Sequence, residues 1–213
     1  MEIHLPRPVS SWKEFCRELL TITIGILIAL SLEGLVEWKH HRNLAREARS
    51  NIVIEMRANR LELAKQEQEL ARMQQEAQQL VAVVHQVESN RKSPSAQLQL
   101  TWSLAELHST SWDVATRTGA IAYMPYSEVQ RYTVVYDLQR SFTELENRAF
   151  GNALEVEGLT TLTQRKQETL SAEELSDAEH RIGTALASIN AMQSIAQPLR
   201  ENYDKTLTAV SEK

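Results

Sequence analysis

Chemistry in a chain of this size needs acids, bases or nucleophiles that converge in space. Six histidines are available, at positions 4, 40, 41, 85, 108 and 180. His40 and His41 are neighbours, so on a helix they point about 100° apart and chelate poorly. No His-Glu-x-x-His or His-x-x-x-His spacing occurs, and a metal site built on one helix is not expected. His85, between Val84 and Val87, reads as a partly buried structural histidine. There is no glycine-rich phosphate loop and no Gly-x-Ser-x-Gly elbow. The single cysteine, Cys16, excludes a disulfide within the chain and a cysteine-based metal site. Serines 93, 109, 111, 127 and 171 sit where helices need capping. No catalytic residue, metal ligand or cofactor is assigned.

One segment is chemically unusual. Trp112, Tyr123, Tyr126, Tyr132 and Tyr136 cluster in a chain otherwise poor in aromatics. Aromatic rings with polar tips suit a partner or ligand site, here expected at the end of the domain far from the membrane. They suit equally a hydrophobic plug where short helices fold back on long ones. Asp113 and Arg117, four apart, are placed to pair with each other.

These residues must be held by helices. Glycine and proline are scarce, at six and five residues, and Gln, Glu, Ala, Leu and Arg are abundant. The first helix begins in an uncharged run from Leu19 to Leu32 that contains Ile22, Ile24, Gly25, Ile26, Leu27, Ile28 and Leu30. Glu33 interrupts it, Gly34-Leu35-Val36 extends it toward Trp38, and read to Val36 it has roughly the minimum length needed to cross a bilayer. Trp12 and Trp38 mark its ends, as interfacial indoles do. Ala29-Leu30-Ser31 is a poor match to a small-x-small cleavage site and Leu32-Glu33-Gly34 is no better, so residues 19–38 read as an uncleaved anchor. Lys39, Arg42, Arg46 and Arg49 form a basic collar after it. Basic residues on both flanks leave orientation undecided by charge. The net charge of −5 offers no basic field for nucleic acid.

Past the anchor, residues 42–88 lack both glycine and proline. Met56, Leu63, Leu70, Met73, Ala77, Leu80, Val84 and Val87 follow a three-four spacing, with Asn59 and Gln66 on the same seam. A helix over residues 39–89, continuous with the anchor, would extend it by about 70 Å. A short helix is predicted over 95–108 behind Ser93-Pro94, and a second over 112–118, closed by Gly119 in a left-handed conformation. Ser127-Glu128-Val129-Gln130 reads as a capping box opening a helix over 127–169. Its seam carries Val135, Leu138, Phe142, Leu145, Ala149, Val156 and Leu159, with Asn152 in register. Ser171-Ala172-Glu173-Glu174 is a second capping box. The helix it opens, 171–211, bears Leu175, Ala178, Ile182, Ala185, Ile189, Met192, Ala196, Leu199, Tyr203 and Val210, and Pro198 should kink it. The expected fold is all-α: a short tail over 1–18, the anchor over 19–38, and an antiparallel, coiled-coil-like helical bundle over 39–213. Polar residues on seams, Asn59, Gln66 and Asn152, are expected to set register.

The anchor resembles that of a family of bacterial single-pass membrane proteins whose domain has no assigned function. The matching residues are Glu18, the hexapeptide Gly25-Ile26-Leu27-Ile28-Ala29-Leu30, Trp38 and Arg42. A second block, Trp112-Asp113, Thr118-Gly119, Ile121 and a helix bearing Tyr132 and Tyr136, is similar as well. The resemblance implies an inner-membrane protein with a short cytoplasmic tail and a periplasmic domain. It implies no activity. The expected partners are the lipid bilayer and either a protein partner or a second copy, met along the heptad seams. The alternative is a periplasmic sensory module with a ligand pocket between Trp112 and Tyr136.

Overall fold

A computed structural model describes residues 12–90, 100–157 and 171–211. The fold is all-helical, with a long first helix and a helical domain behind it. Two compact units divide the chain at Glu47/Ala48. The first helix, α1 (Trp12–Asn90), belongs to both.

In the first unit α1 carries a stretch long and apolar enough to cross a membrane, and none of that stretch is buried. Leu19, Ile22, Ile24, Ile26, Leu27, Ile28, Leu30, Leu32 and Trp38 all expose their side chains. No atom lies within 4 Å of a Cβ built on Gly25. The hydroxyls in the stretch bond back to their own helix. Thr21 donates to Arg17 O at 2.9 Å, Thr23 to Leu19 O at 2.8 Å and Ser31 to Leu27 O at 2.7 Å. That satisfies polar groups which lipid cannot. The Arg42 guanidinium stacks 5.3 Å from the Trp38 ring centroid.

The second unit contains the rest of α1, then α2 (Thr110–Arg117), a 3-10 turn over Ala120–Tyr123, α3 (Tyr126–Glu157) and α4 (Ala172–Ser211). A three-four spacing puts one apolar stripe on each helix, and the stripes meet. Met56, Leu63, Leu70, Met73 and Ala77 of α1 are fully buried, as are Val135, Phe142 and Ala149 of α3 and Ala185, Ile189, Met192, Leu199 and Tyr203 of α4. Most of the heptad seams are therefore filled from within a single chain; Leu138, Leu145, Leu175 and Val210 are only half-buried.

Cross-helix hydrogen bonds and ion-pair contacts give the directions. α1 meets α3 through Arg49–Glu128, Glu55–Tyr136, Asn59–Gln139 and Gln66–Glu146, where both numbers rise together: the two helices are parallel. α1 meets α4 through Arg60–Asp204, Glu67–Arg200, Gln74–Asn190 and His85–Glu179, so α4 runs the opposite way. His85 thus lies exposed on the α1–α4 surface instead of half-buried in the seam.

Parallel α1 and α3 require a return path between them. Residues 100–109 supply it, and they are not helical. This corrects the helix expected over 95–108, of which residues 95–99 lie outside the described part. The reason is length. Thr101 bonds to Glu76 and Ser111 to Glu55, so ten steps of chain must match twenty-one residues of α1. At 1.5 Å per residue that span is about 31 Å; ten helical steps cover about 15 Å, and ten extended steps about 33 Å. Only the extended form reaches. The helix-forming Leu104-Ala105-Glu106-Leu107 yields to that constraint. Counting this strap, successive elements alternate in direction, up-down-up-down.

The termini show local chemistry. Ser171 and Glu174 form the expected reciprocal cap, with Ser171 N–H donating to Glu174 Oε2 at 2.8 Å and Glu174 N–H to Ser171 Oγ at 3.1 Å. Gly119 takes φ +74° and ends α2 as predicted. α3 begins at Tyr126, so Ser127 lies inside it and does not cap it; Pro125 O accepts from Glu128 and Val129 instead. The helix expected over 127–169 is described to Glu157, and Leu159 lies outside the described residues. α4 passes through Pro198 without ending.

Leu70 has no exposed surface within one chain. Leu70→Ala should therefore destabilise the isolated monomer by about 2–5 kcal/mol, read by denaturant unfolding of the detergent-solubilised chain. A loss of partners at unchanged monomer stability would be the opposite result.

Candidate functional site

The strap lies between α1 and α3, and its buried main chain needs hydrogen-bond partners. Side chains provide them. Asn59 Nδ2 donates to His108 O at 2.6 Å, and His108 N–H donates to Asn59 Oδ1 at 2.9 Å. Gln139 Nε2 also donates to His108 O, at 2.9 Å. One turn-pair further along, Gln66 Nε2 donates to Ser103 O at 2.8 Å and to Glu146 Oε1 at 3.1 Å, and Glu146 Oε1 accepts Ala105 N–H at 2.8 Å. At the far end Arg72 donates to Thr101 O at 3.1 Å, and Glu76 accepts Thr101 N–H at 3.2 Å. Asn59 and Gln66 are seven apart on α1, and Gln139 and Glu146 are seven apart on α3. Equal spacing on parallel helices stacks the pairs into a ladder.

Asn59 and Gln66 thus hold the register between α1 and α3 as well as the strap. Asn152 donates to Ser188 Oγ at 2.9 Å and links α3 to α4. All three polar seam residues are engaged within the chain.

The aromatic cluster adjoins the ladder. Trp112 stacks on Tyr136 with centroids 5.4 Å apart and planes 9° apart, and meets the Tyr132 ring edge-on at 6.3 Å. These three side chains are buried, whereas Tyr123 and Tyr126 are exposed. Of the five expected site residues, three therefore pack together and two face outward. Within the second unit the cluster packs beside residues 49–59 of α1.

Carboxylates organise the cluster. Tyr136 Oη donates to Glu55 Oε1 at 2.7 Å, and Ser111 N–H donates to Glu55 Oε2 at 2.8 Å. Ser109 makes no side-chain cap to α2, so Glu55 of α1 caps that helix across the interface. Glu128 is buried; its Oε1 accepts Arg49 Nε at 2.5 Å and Tyr132 Oη at 2.9 Å. The Glu128 bond, outweighing desolvation, holds the Arg49 guanidinium firmly protonated. Burial, reinforced by hydrogen bonds to Glu128 and Glu55, pushes the Tyr132 and Tyr136 phenols up. Burial does the same to Tyr203, which donates to Gln139 Oε1 at 2.5 Å. These phenols are fixed donors and cannot serve as bases near neutral pH.

Beside the cluster is a half-open cleft of about 270 Å³ lined by Leu107, Ser109, Trp112, Asp113, Arg140 and Glu144, among others. Asp113 accepts a bond from Ser109 Oγ at 3.0 Å. Among the described residues no three His, Cys, Asp or Glu side chains gather as metal ligands. Cys16 is exposed. Comparison of the chain with protein-family models, curated proteins and solved structures matches nothing.

Sequence reasoning missed Glu55, Gln139, Glu146 and the strap, and assigned Glu128 to a cap. The seven-residue spacing of Gln139 and Glu146, each four residues after a seam position, was the available signal.

Glu146 differs from Glu128 in having no cationic side chain bonded to it among the described residues. Burial pushes its carboxyl up to about 7, against the smaller opposing pull of the Ala105 amide. An unfolded glutamate titrates near 4.3. Between these values the native state binds a proton that the unfolded state does not. Its contribution is therefore fully present below about pH 4 and declines as pH rises through 7. Glu146→Gln should remove this decline, gaining on the order of 3 kcal/mol relative to wild type between pH 4 and pH 8. Parallel denaturation curves across that range test it, and curves that keep a constant separation would refute it.

Proposed function

We propose that this chain is a non-enzymatic interaction module of the kind its anchor resembles: a single-pass bacterial inner-membrane protein holding a helical domain on the periplasmic side. The observation that carries the reading is the fate of the polar groups. Glu55, Glu128, Glu146, Asn59, Gln66, Gln139 and the phenols of Tyr132, Tyr136 and Tyr203 are all bonded to other parts of the chain. Bonds of this kind tie the strap, α1 and α3 together, which supports a structural role for these groups. The exposed apolar stretch of α1 supports the anchor. Because the apolar seams are filled from within, a partner or a second copy is met at the outer surfaces of the bundle or where a surface segment gives way to it.

Native mass spectrometry of the detergent-purified full-length chain tests this. A homo-oligomer or a retained second protein is expected. A bare monomer would overturn tight assembly.

The cleft beside Trp112 favours a second reading, a sensory module acting through a separate protein. It predicts that a small polar ligand raises the thermal midpoint by several degrees, and that Trp112→Phe reduces this gain without abolishing folding. A panel of small carboxylates, amines and sugars that leaves the midpoint unmoved would count against it.

A further inference from the structure

The groove between α1 and α3 grips a backbone. Asn59, Gln66, Gln139, Glu146, Arg72 and Glu76 direct their bonds to main-chain atoms of Thr101, Ser103, Ala105 and His108. The strap's side chains take little part in these bonds. They alternate instead: Ser103, Ala105 and Leu107 are half-buried, while Leu104, Glu106 and His108 are exposed. Main-chain bonds for affinity and alternate side chains for fit are the terms on which an extended peptide adds to a sheet edge. Here two rows of helix side chains replace the edge.

We propose that this groove is a receptor for an extended polypeptide segment of a partner protein, with small or aliphatic side chains at alternate positions. The strap is its in-chain occupant, exchanged for the partner's segment on docking. The inference rests on the interaction-module reading and names the chemistry of its partner. Two features favour exchange over a permanent seal. The strap lies at the surface, with Leu104 45% exposed, and its gripped atoms are ones that every extended peptide carries. The groove cannot stand empty, because Asn59, Gln66, Gln139 and Glu146 are 1–4% exposed and would lose partners. Replacing one extended chain by another keeps those bonds. A tethered occupant competes at an effective concentration of about millimolar, so the unaltered chain should bind such a segment weakly.

The test uses the full-length chain in detergent and a fluorescent peptide with the sequence of residues 100–111. Ala105→Pro removes the amide that Glu146 accepts and should loosen the tethered strap. Fluorescence anisotropy should show the peptide binding this variant at least tenfold more tightly than wild type. Adding Asn59→Ala to the variant should abolish the gain. Peptides altered at Leu104, Glu106 and His108 should bind within about threefold, and a peptide carrying proline in place of Ala105 should not bind. Should Ala105→Pro fail to fold by circular dichroism, Thr101→Pro removes only the outermost amide bond, to Glu76, and the same gain is required of it. No gain in a folded variant overturns the proposal. A partner retained in native mass spectra, with no peptide binding, would overturn the groove alone and leave the broader reading standing. Neither would overturn both.

Discussion

An extended backbone laid in the groove between two helices makes none of its own hydrogen bonds, and the polar core of this domain answers that demand. Each buried N–H and C=O left without a partner costs about 1–3 kcal/mol. The strap meets it by borrowing carboxamides and carboxylates from α1 and α3 at seven-residue spacing. Those side chains must then sit inside the core, where an apolar residue would otherwise pack better. They also couple the two helices to each other, since Asn59 reaches Gln139 and Gln66 reaches Glu146. Direction, register and the burial of polar groups thus follow from one stretch of non-helical chain.

The carboxylates show how differently one residue type is used within a short distance. Glu128 is neutralised by Arg49 and anchors the start of α3. Glu55 caps α2 from outside it and holds the Tyr136 phenol. Glu146 has only an amide and a carboxamide for company, so its charge is poorly tolerated. Each of the three is bonded within the same chain, and the shift at Glu146 follows from its burial.

Most of the fold was legible in the sequence because helices announce themselves by periodicity. The seam residues from Met56 to Val87 and from Ala178 to Tyr203 lie in the core as their spacing predicts. Gly119 and the Ser171–Glu174 cap are where local chemistry placed them. The strap was illegible for a physical reason. Leu104-Ala105-Glu106-Leu107 favours a helix locally, and only the distance to be spanned between Glu76 and Glu55 overrides it. That distance is a property of two other segments. The parallel arrangement of α1 and α3 was hidden for the same reason, as was the inward turn of Glu128, which looked like part of a cap. Aromatic clustering did point to Trp112, Tyr132 and Tyr136, but not to the exposure of Tyr123 and Tyr126, which depends on where the 3-10 turn leaves the bundle.

The contrast between helical and extended rise ties the lengths of distant segments together. Inserting one heptad into α1 and α3 lengthens the path between them by about 10 Å. The return segment must grow by about three residues to follow it. A bundle built this way can change size only in paired steps of unequal count, seven residues in each long helix against three in the strap. Length variants among natural sequences of this architecture should therefore come as compensated sets, and a lone insertion on either side would pull the ladder out of step.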